Sequence, residues 1–187
     1  MKKLLVVLCA VAVCFPLGLA GQDKAQIEKA LTGLLVEYTR TLPLDGLPLS
    51  LIHLNDRTIP IIFQPPTLYS MRARAKEATL IYVQGSATRG LELDTTRFTL
   101  GQNGQSTPGT VSNIKNFMRG KNKLSSGDRV DGVLTFAKLV DLQNTFTVAY
   151  DKDLSAEFKF TANEIKAMTP VIVPDTPAAP APATGRQ

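Results

Sequence analysis

Tryptophan is absent from this chain, histidine occurs once and cysteine twice, and each scarcity removes a class of chemistry. Both cysteines, Cys9 and Cys14, stand close to the N-terminus. A chain cut after them has no disulfide, no thiol nucleophile and no cysteine metal ligand. With His53 as the sole histidine, the usual zinc ligand sets cannot be assembled either, so neither a metal nor another cofactor is expected. A serine hydrolase with a histidine base would have to use that one ring. Its surroundings, Leu51-Ile52-His53-Leu54, read instead as a strand residue at a sheet surface. After residue 20 no apolar run approaches the roughly 20 residues of a spanning helix.

What stands at the start is a leader pattern. Lys2 and Lys3 precede an apolar run over residues 4–15, and Gly18 and Ala20 frame a cut before Gly21, the three-part order of an export signal. Cys14 follows Val13 and Cys9 follows Leu8, so neither has the small preceding residue that lipid attachment wants. Loss of residues 1–20 leaves 167 of the 187, enough for one domain with its own core. It also removes two of 21 basic residues and none of 16 acidic ones, taking the formal charge from +5 to +3. That excess gives weak attraction to anionic surfaces and no case for a nucleic-acid partner. The expected setting is exported, periplasmic or extracellular, with no membrane span in the mature chain.

The pattern divides the chain into a signal peptide (1–20), an N-terminal helix (21–45), a β domain (46–168) and a Pro/Ala-rich tail (169–187) that is expected to be extended and flexible. Ile27, Ala30, Leu31, Leu34, Leu35, Tyr38 and Leu42 fall at helical spacing, predicting an amphipathic helix over 23–42. Asp23 and Gln26 form a capping box, Pro43 stops the run and Gly33 weakens it. Beyond it, short runs punctuated by Gly, Pro, Asn and Asp predict strands. Residues 49–54 and 58–63 flank a turn-like Asn55-Asp56-Arg57 and read as a hairpin, with Pro60 on an edge strand. Residues 68–75 alternate loosely, and 78–83 form a core strand covered on both faces. Short strands follow at 91–93 and 97–100, then a turn at 101–104, and the polar stretch 105–126 holds one irregular strand near 111–117. Val130, Leu134 and Phe136, then Phe146, Val148 and Tyr150, then Phe158 and Phe160, occupy alternate positions and form the core. Thr161 and Glu164 stand at capping-box spacing before a short helix ending near Met168.

Three pieces of the chain resemble the telokin-like, immunoglobulin-fold domains of bacterial secreted proteins and lipoproteins of unknown function. They are Ala78-Thr-Leu-Ile-Tyr-Val-Gln leading into Thr95-Thr-Arg-Phe-Thr-Leu-Gly-Gln-Asn-Gly-Gln; Leu124-Ser-Ser-Gly-Asp-Arg-Val-Asp-Gly-Val-Leu-Thr-Phe; and Phe146-Thr-Val-Ala-Tyr with Phe158-Lys-Phe. The resemblance covers a little over half of the mature chain. It implies an antiparallel, immunoglobulin-like β-sandwich in an envelope setting, and brings no catalytic residues.

Candidate chemistry is sparse. Ser112 and Lys115 have the Ser-x-x-Lys spacing of penicillin-recognising enzymes, but the Lys-Thr-Gly and Ser-Asp-Asn partners are missing. Asp151, Asp153, Ser155 and Glu157 begin a calcium-loop rhythm that fails at Ala156 and Ala162, where glycine and glutamate are needed. Two basic groups could contact an anionic partner: Lys115, Arg119, Lys121 and Lys123 in a polar loop, and Arg72, Arg74 and Lys76, which alternate and so share one face if the segment is a strand. Lysines also protect sheet edges from pairing. The expectation is a non-enzymatic exported module that binds another envelope or secreted protein. One alternative is a small envelope-modifying hydrolase using Asp128 and Asp131, which are also natural turn formers. Another is an inhibitor or chaperone docking through helix 23–42.

Overall fold

A computed structural model describes residues 24–112 and 116–168. The signal segment, the Pro/Ala tail, the Asp23 cap and Lys115 lie outside the described residues. The body is mainly β and antiparallel. Eight strands hydrogen-bond in the order β1-β2-β3-β8-β6-β5-β9-β10, and β4 pairs with β7 in a separate ribbon. The strands are β1 (Thr39–Leu44), β2 (Leu47–His53), β3 (Thr79–Ser86), β4 (Leu91–Asp94), β5 (Phe98–Gln102), β6 (Gln105–Val111), β7 (Lys121–Leu124), β8 (Arg129–Phe136), β9 (Phe146–Tyr150) and β10 (Leu154–Phe158).

The sheet doubles back through β6. Residues 105–108 of that strand pair with β5, whereas Gly109, Thr110 and Val111 pair with Phe136, Thr135 and Leu134 of β8. One strand thus serves both halves, and the first and last strands, β1 and β10, come into contact across a seam without joining a ladder. Arg40 of β1 bridges that seam: its Nε donates to the Glu157 carbonyl at 3.1 Å and its Nη2 to the Lys159 carbonyl at 3.2 Å. The guanidinium also lies over the Phe158 and Phe160 rings, at 5.7 and 6.0 Å from their centroids.

Alternation fills the interior as the sequence predicts. Val130, Leu134, Phe136, Phe146, Val148, Tyr150, Phe158 and Phe160 are all buried in one cluster with Leu49, Leu51, Ile81 and Val83. Phe146 and Phe158 stack at 5.0 Å. A second, smaller cluster sits on the outer face of β3 and β8, where Leu80 and Val133 are covered by Leu54 and Ile59 and by Leu68, Met71 and Ala75. The core strand is therefore covered on both faces, as its continuous apolar run requires.

Four local expectations are corrected. The first helix, α1 (Lys24–Glu37), ends at Glu37 rather than at Leu42. Thr39 Oγ1 donates to the Leu35 carbonyl at 2.6 Å and Arg40 Nη1 to that of Glu37 at 3.0 Å, satisfying its terminal acceptors, and the chain then enters β1 well before Pro43. The hairpin partner of β2 is β1, not 58–63. Asp45-Gly46 makes the turn, with Gly46 at φ 76°, a conformation that favours glycine. Residues 58–63 instead hold a four-residue helix, α2 (Ile59–Ile62), with Pro60 in its first turn rather than on an edge strand, where a missing N–H costs nothing. Residues 68–75 belong to α3 (Thr67–Ala75): Leu, Met, Arg and Ala are strong helix formers, and Leu68, Met71 and Ala75 fall on one helical face, over Leu80.

The stretch 105–126 carries two strands, β6 and β7, rather than one near 111–117. Phe117 is fully buried beside Phe98. It lies so close to Gly132 that a Cβ there would stand 2.2 Å from the Phe117 ring. The last helix, α4 (Ala162–Met168), has the predicted box: Thr161 N–H donates to Glu164 Oε2, and Glu164 N–H to Thr161 Oγ1. Among the described residues no helix is long and apolar enough to cross a membrane.

Candidate functional site

A cleft of about 170 Å³ opens between α3, the turn after β2 and the loop between β8 and β9. Each wall is fixed by hydrogen bonds that follow from the local sequence. On the β2 side, Asn55 Oδ1 accepts from the backbone amides of Arg57 and Thr58 at 2.9 and 3.2 Å, an Asx turn of the kind asparagine favours. Thr58 Oγ1 completes the knot by donating to the His53 carbonyl at 2.9 Å and accepting from Asn55 N–H at 3.0 Å.

On the far side, Thr79 Oγ1 donates to the Lys138 carbonyl at 2.6 Å and accepts from Val140 N–H at 3.0 Å. Gln102 reaches the same loop from β5: its Nε2 donates to the Asp141 carbonyl at 2.8 Å and its Oε1 accepts from Asp141 N–H at 2.9 Å. Two buried polar side chains thereby hold Leu139, Val140 and Leu142 along the cleft. Neither Thr79 nor Gln102 carries a motif. Their role becomes visible only once β3 and β5 flank the loop.

His53 closes the bottom of the cleft. The ring is buried, not at a sheet surface, and packs 5.8 Å from the Phe146 ring and 5.4 Å from that of Phe160. Burial pulls its pKa down to about 4, so the imidazole is neutral near neutral pH. Asn55 Nδ2 lies 3.4 Å from His53 Nδ1.

The basic residues named from sequence fall into two unlike settings. Arg72, Arg74 and Lys76 do not alternate on a strand face, because α3 rotates them apart. Arg72 and Lys76, one helical turn apart, line the cleft, while Arg74 donates to Thr135 Oγ1 at 2.6 Å and braces the helix to β8. Arg72 faces Asp56 at 3.6 Å. In the second group, Lys121 and Lys123 do share a face of β7. There they lie opposite Asp94 and Glu92 of β4, and Lys121 Nζ bonds Glu92 Oε1 at 2.9 Å. Opposite charges across the ribbon are a cross-strand pairing device, and Lys121 is matched in this way. The Met118–Asn122 turn carrying Arg119 is held by Asn122, whose Nδ2 donates to the Met118 and Gly120 carbonyls at 2.8 Å.

The carboxylates have structural partners. Asp151 pairs with Arg97, which also lies 5.0 Å over the Tyr150 ring. Asp128 Oδ2 accepts from Ser125 N–H at 2.8 Å, closing the turn before β8. Asp131 lies on β8 beside Tyr82, whose phenol is pushed upward by burial and then by that carboxylate. Ser112 is half-buried beyond β6, its amide directed at the Val133 carbonyl. Among the described residues no group of three or more His, Asp or Glu side chains is arranged to hold a metal. Compared with known proteins, the chain matches no family model, no curated protein and no solved structure.

Proposed function

We propose that this chain is an exported, non-enzymatic binding or structural module of the bacterial cell envelope that acts by protein contacts. The observation that carries the reading is the structural employment of three of the reactive candidates. His53 packs among phenylalanines, Asp128 closes a turn and Asp151 pairs with a cation. Groups so engaged serve the fold and are not poised as a base or a nucleophile. The leader pattern in residues 1–20 supports export, and kinship with telokin-like, immunoglobulin-fold envelope domains is the finer form of the proposal. Its support is the residue pattern together with a core built from alternating side chains in the two halves of the sheet.

The test has two arms. The full chain, expressed in a bacterium, is expected to lose about 2 kDa on maturation, at roughly 0.1 kDa per residue of the leader, and to fractionate with the envelope. An uncut chain in the cytosol would refute export. Purified mature protein is then assayed against wall peptides and glycans beside the Ser112→Ala and Asp131→Asn variants. Turnover that either substitution abolishes would make the protein an enzyme.

A further inference from the structure

The cleft holds donors that the protein itself does not use. Lys76 Nζ makes no ion pair or hydrogen bond among the described residues. Arg72 faces Asp56 as an ion pair, Nε to Oδ1 at 3.6 Å, beyond hydrogen-bond length. The Asn55 amide is oriented by the two backbone N–H groups on its Oδ1, and its Nδ2 donates to the His53 carbonyl at 3.3 Å and lies 3.4 Å from His53 Nδ1, where an amide nitrogen can only donate. Nδ1 is therefore an acceptor and the proton resides on Nε2. No buried side-chain nitrogen lacks a partner, yet His53 Nε2 has none among the described residues, so this N–H opens to the cleft that the ring lines.

The remaining wall is aliphatic. Leu139 is 53 % exposed, an unusual outlay of apolar surface on a loop pinned at both ends. Two cations, one carboxylate and a neutral imidazole leave one net positive charge, the complement of a single carboxylate. The volume, about 170 Å³, is below the roughly 300–1,000 Å³ of cofactor and drug-sized pockets and suits one residue.

We propose that this cleft captures the C-terminal carboxylate of a partner polypeptide whose last residue is a compact aliphatic one. The carboxylate accepts from Lys76, Arg72 and the His53 Nε2–H, as charge-assisted hydrogen bonds favour, and the terminal side chain packs on Leu139 and Leu142. This rests on the protein-contact reading above and names what is recognised.

The single histidine gives a unique reporter, because its ring protons are the only ones of their kind in the chain. The mature protein is titrated by NMR with acetyl-Ala-Ala-Leu bearing a free carboxylate, with its C-terminal amide and with isovalerate. The free peptide is expected to shift the His53 signals saturably, and the amide to bind about tenfold more weakly, the loss of a hydrogen bond to a charged group. Lys76→Gln, at the exposed C-cap of α3, and Arg72→Gln, at an exposed position within it, should each weaken the free peptide by a similar factor with unchanged circular dichroism. Equal binding of the amide, or no His53 shift, overturns the proposal. Isovalerate binding as tightly as the peptide would assign the cleft to free short-chain acids and equally overturn it. Cross-linking in intact envelopes separates the two readings. A partner captured by Lys76→Gln as by the native chain leaves the protein-contact function standing while the cleft assignment falls.

Discussion

His53 shows how a residue type changes meaning with its surroundings. In a cleft with an acid and a hydroxyl, a lone histidine is a base; between Phe146 and Phe160 it is a core residue with one polar edge. Its pKa of about 4 when folded, against about 6.5 when unfolded, means that the unfolded chain binds the extra proton first. Stability contributed by the neutral ring is complete above pH 6.5 and is lost as pH falls toward 4, at about 1.4 kcal/mol per pH unit. The total is on the order of 3 kcal/mol. Urea denaturation between pH 7 and 4 should show this decline, and NMR titration of the ring should have its midpoint near 4; a midpoint near 6.5 would contradict the burial.

At the scale of elements, propensity and pairing compete, and the outcomes differ along the chain. Residues 39–42 continue the helical spacing of α1, yet Thr39 and Thr41 are β-branched and β2 offers a complete ladder partner, from Thr39 opposite Ile52 to Leu44 opposite Leu47. Tertiary pairing won there. The signal for that hairpin was nevertheless legible, since Asp-Gly between two apolar runs is a strong turn marker. Over α3 the reverse holds, for its apolar residues recur at helical spacing and a two-residue alternation was the wrong period to read. Among the described residues of helix α1, Leu34 and Leu35 pack on the core. Gly33 has open space where a Cβ would stand. Gly33→Ala should stabilise the helix by up to about 1 kcal/mol, seen as slower amide exchange in the α1 backbone; a loss of stability would contradict the open space at Gly33.

For the whole molecule, closure is the decisive feature. An open sheet leaves two edges as templates for unwanted pairing, and here β1 and β10 meet at a seam bridged by one guanidinium on backbone carbonyls of both sides. Arg40→Ala should cost about 2 kcal/mol, the worth of hydrogen bonds from a charged donor, and raise amide exchange selectively in β1 and β10. Arg40→Lys should restore little, because an ammonium cannot span the seam as a planar fork does. Uniform exchange across all strands in Arg40→Ala would show that the bridge is not a local latch. The sequence by itself determined the strand-rich body, the aromatic core positions, the capped last helix and the scarcity of metal ligands, since these depend on periodicity and composition. Only the tertiary structure decided that Arg40 closes a seam, that Arg72 and Lys76 share a cleft with His53 while Arg74 does not, and that Lys121 meets Glu92. Those relations join separate elements, and packing sets their distances: the return of the sheet through β6 for the Arg40 seam, the seating of α3 on β3 and β8 for the cleft, and the β4–β7 ribbon for the lysine.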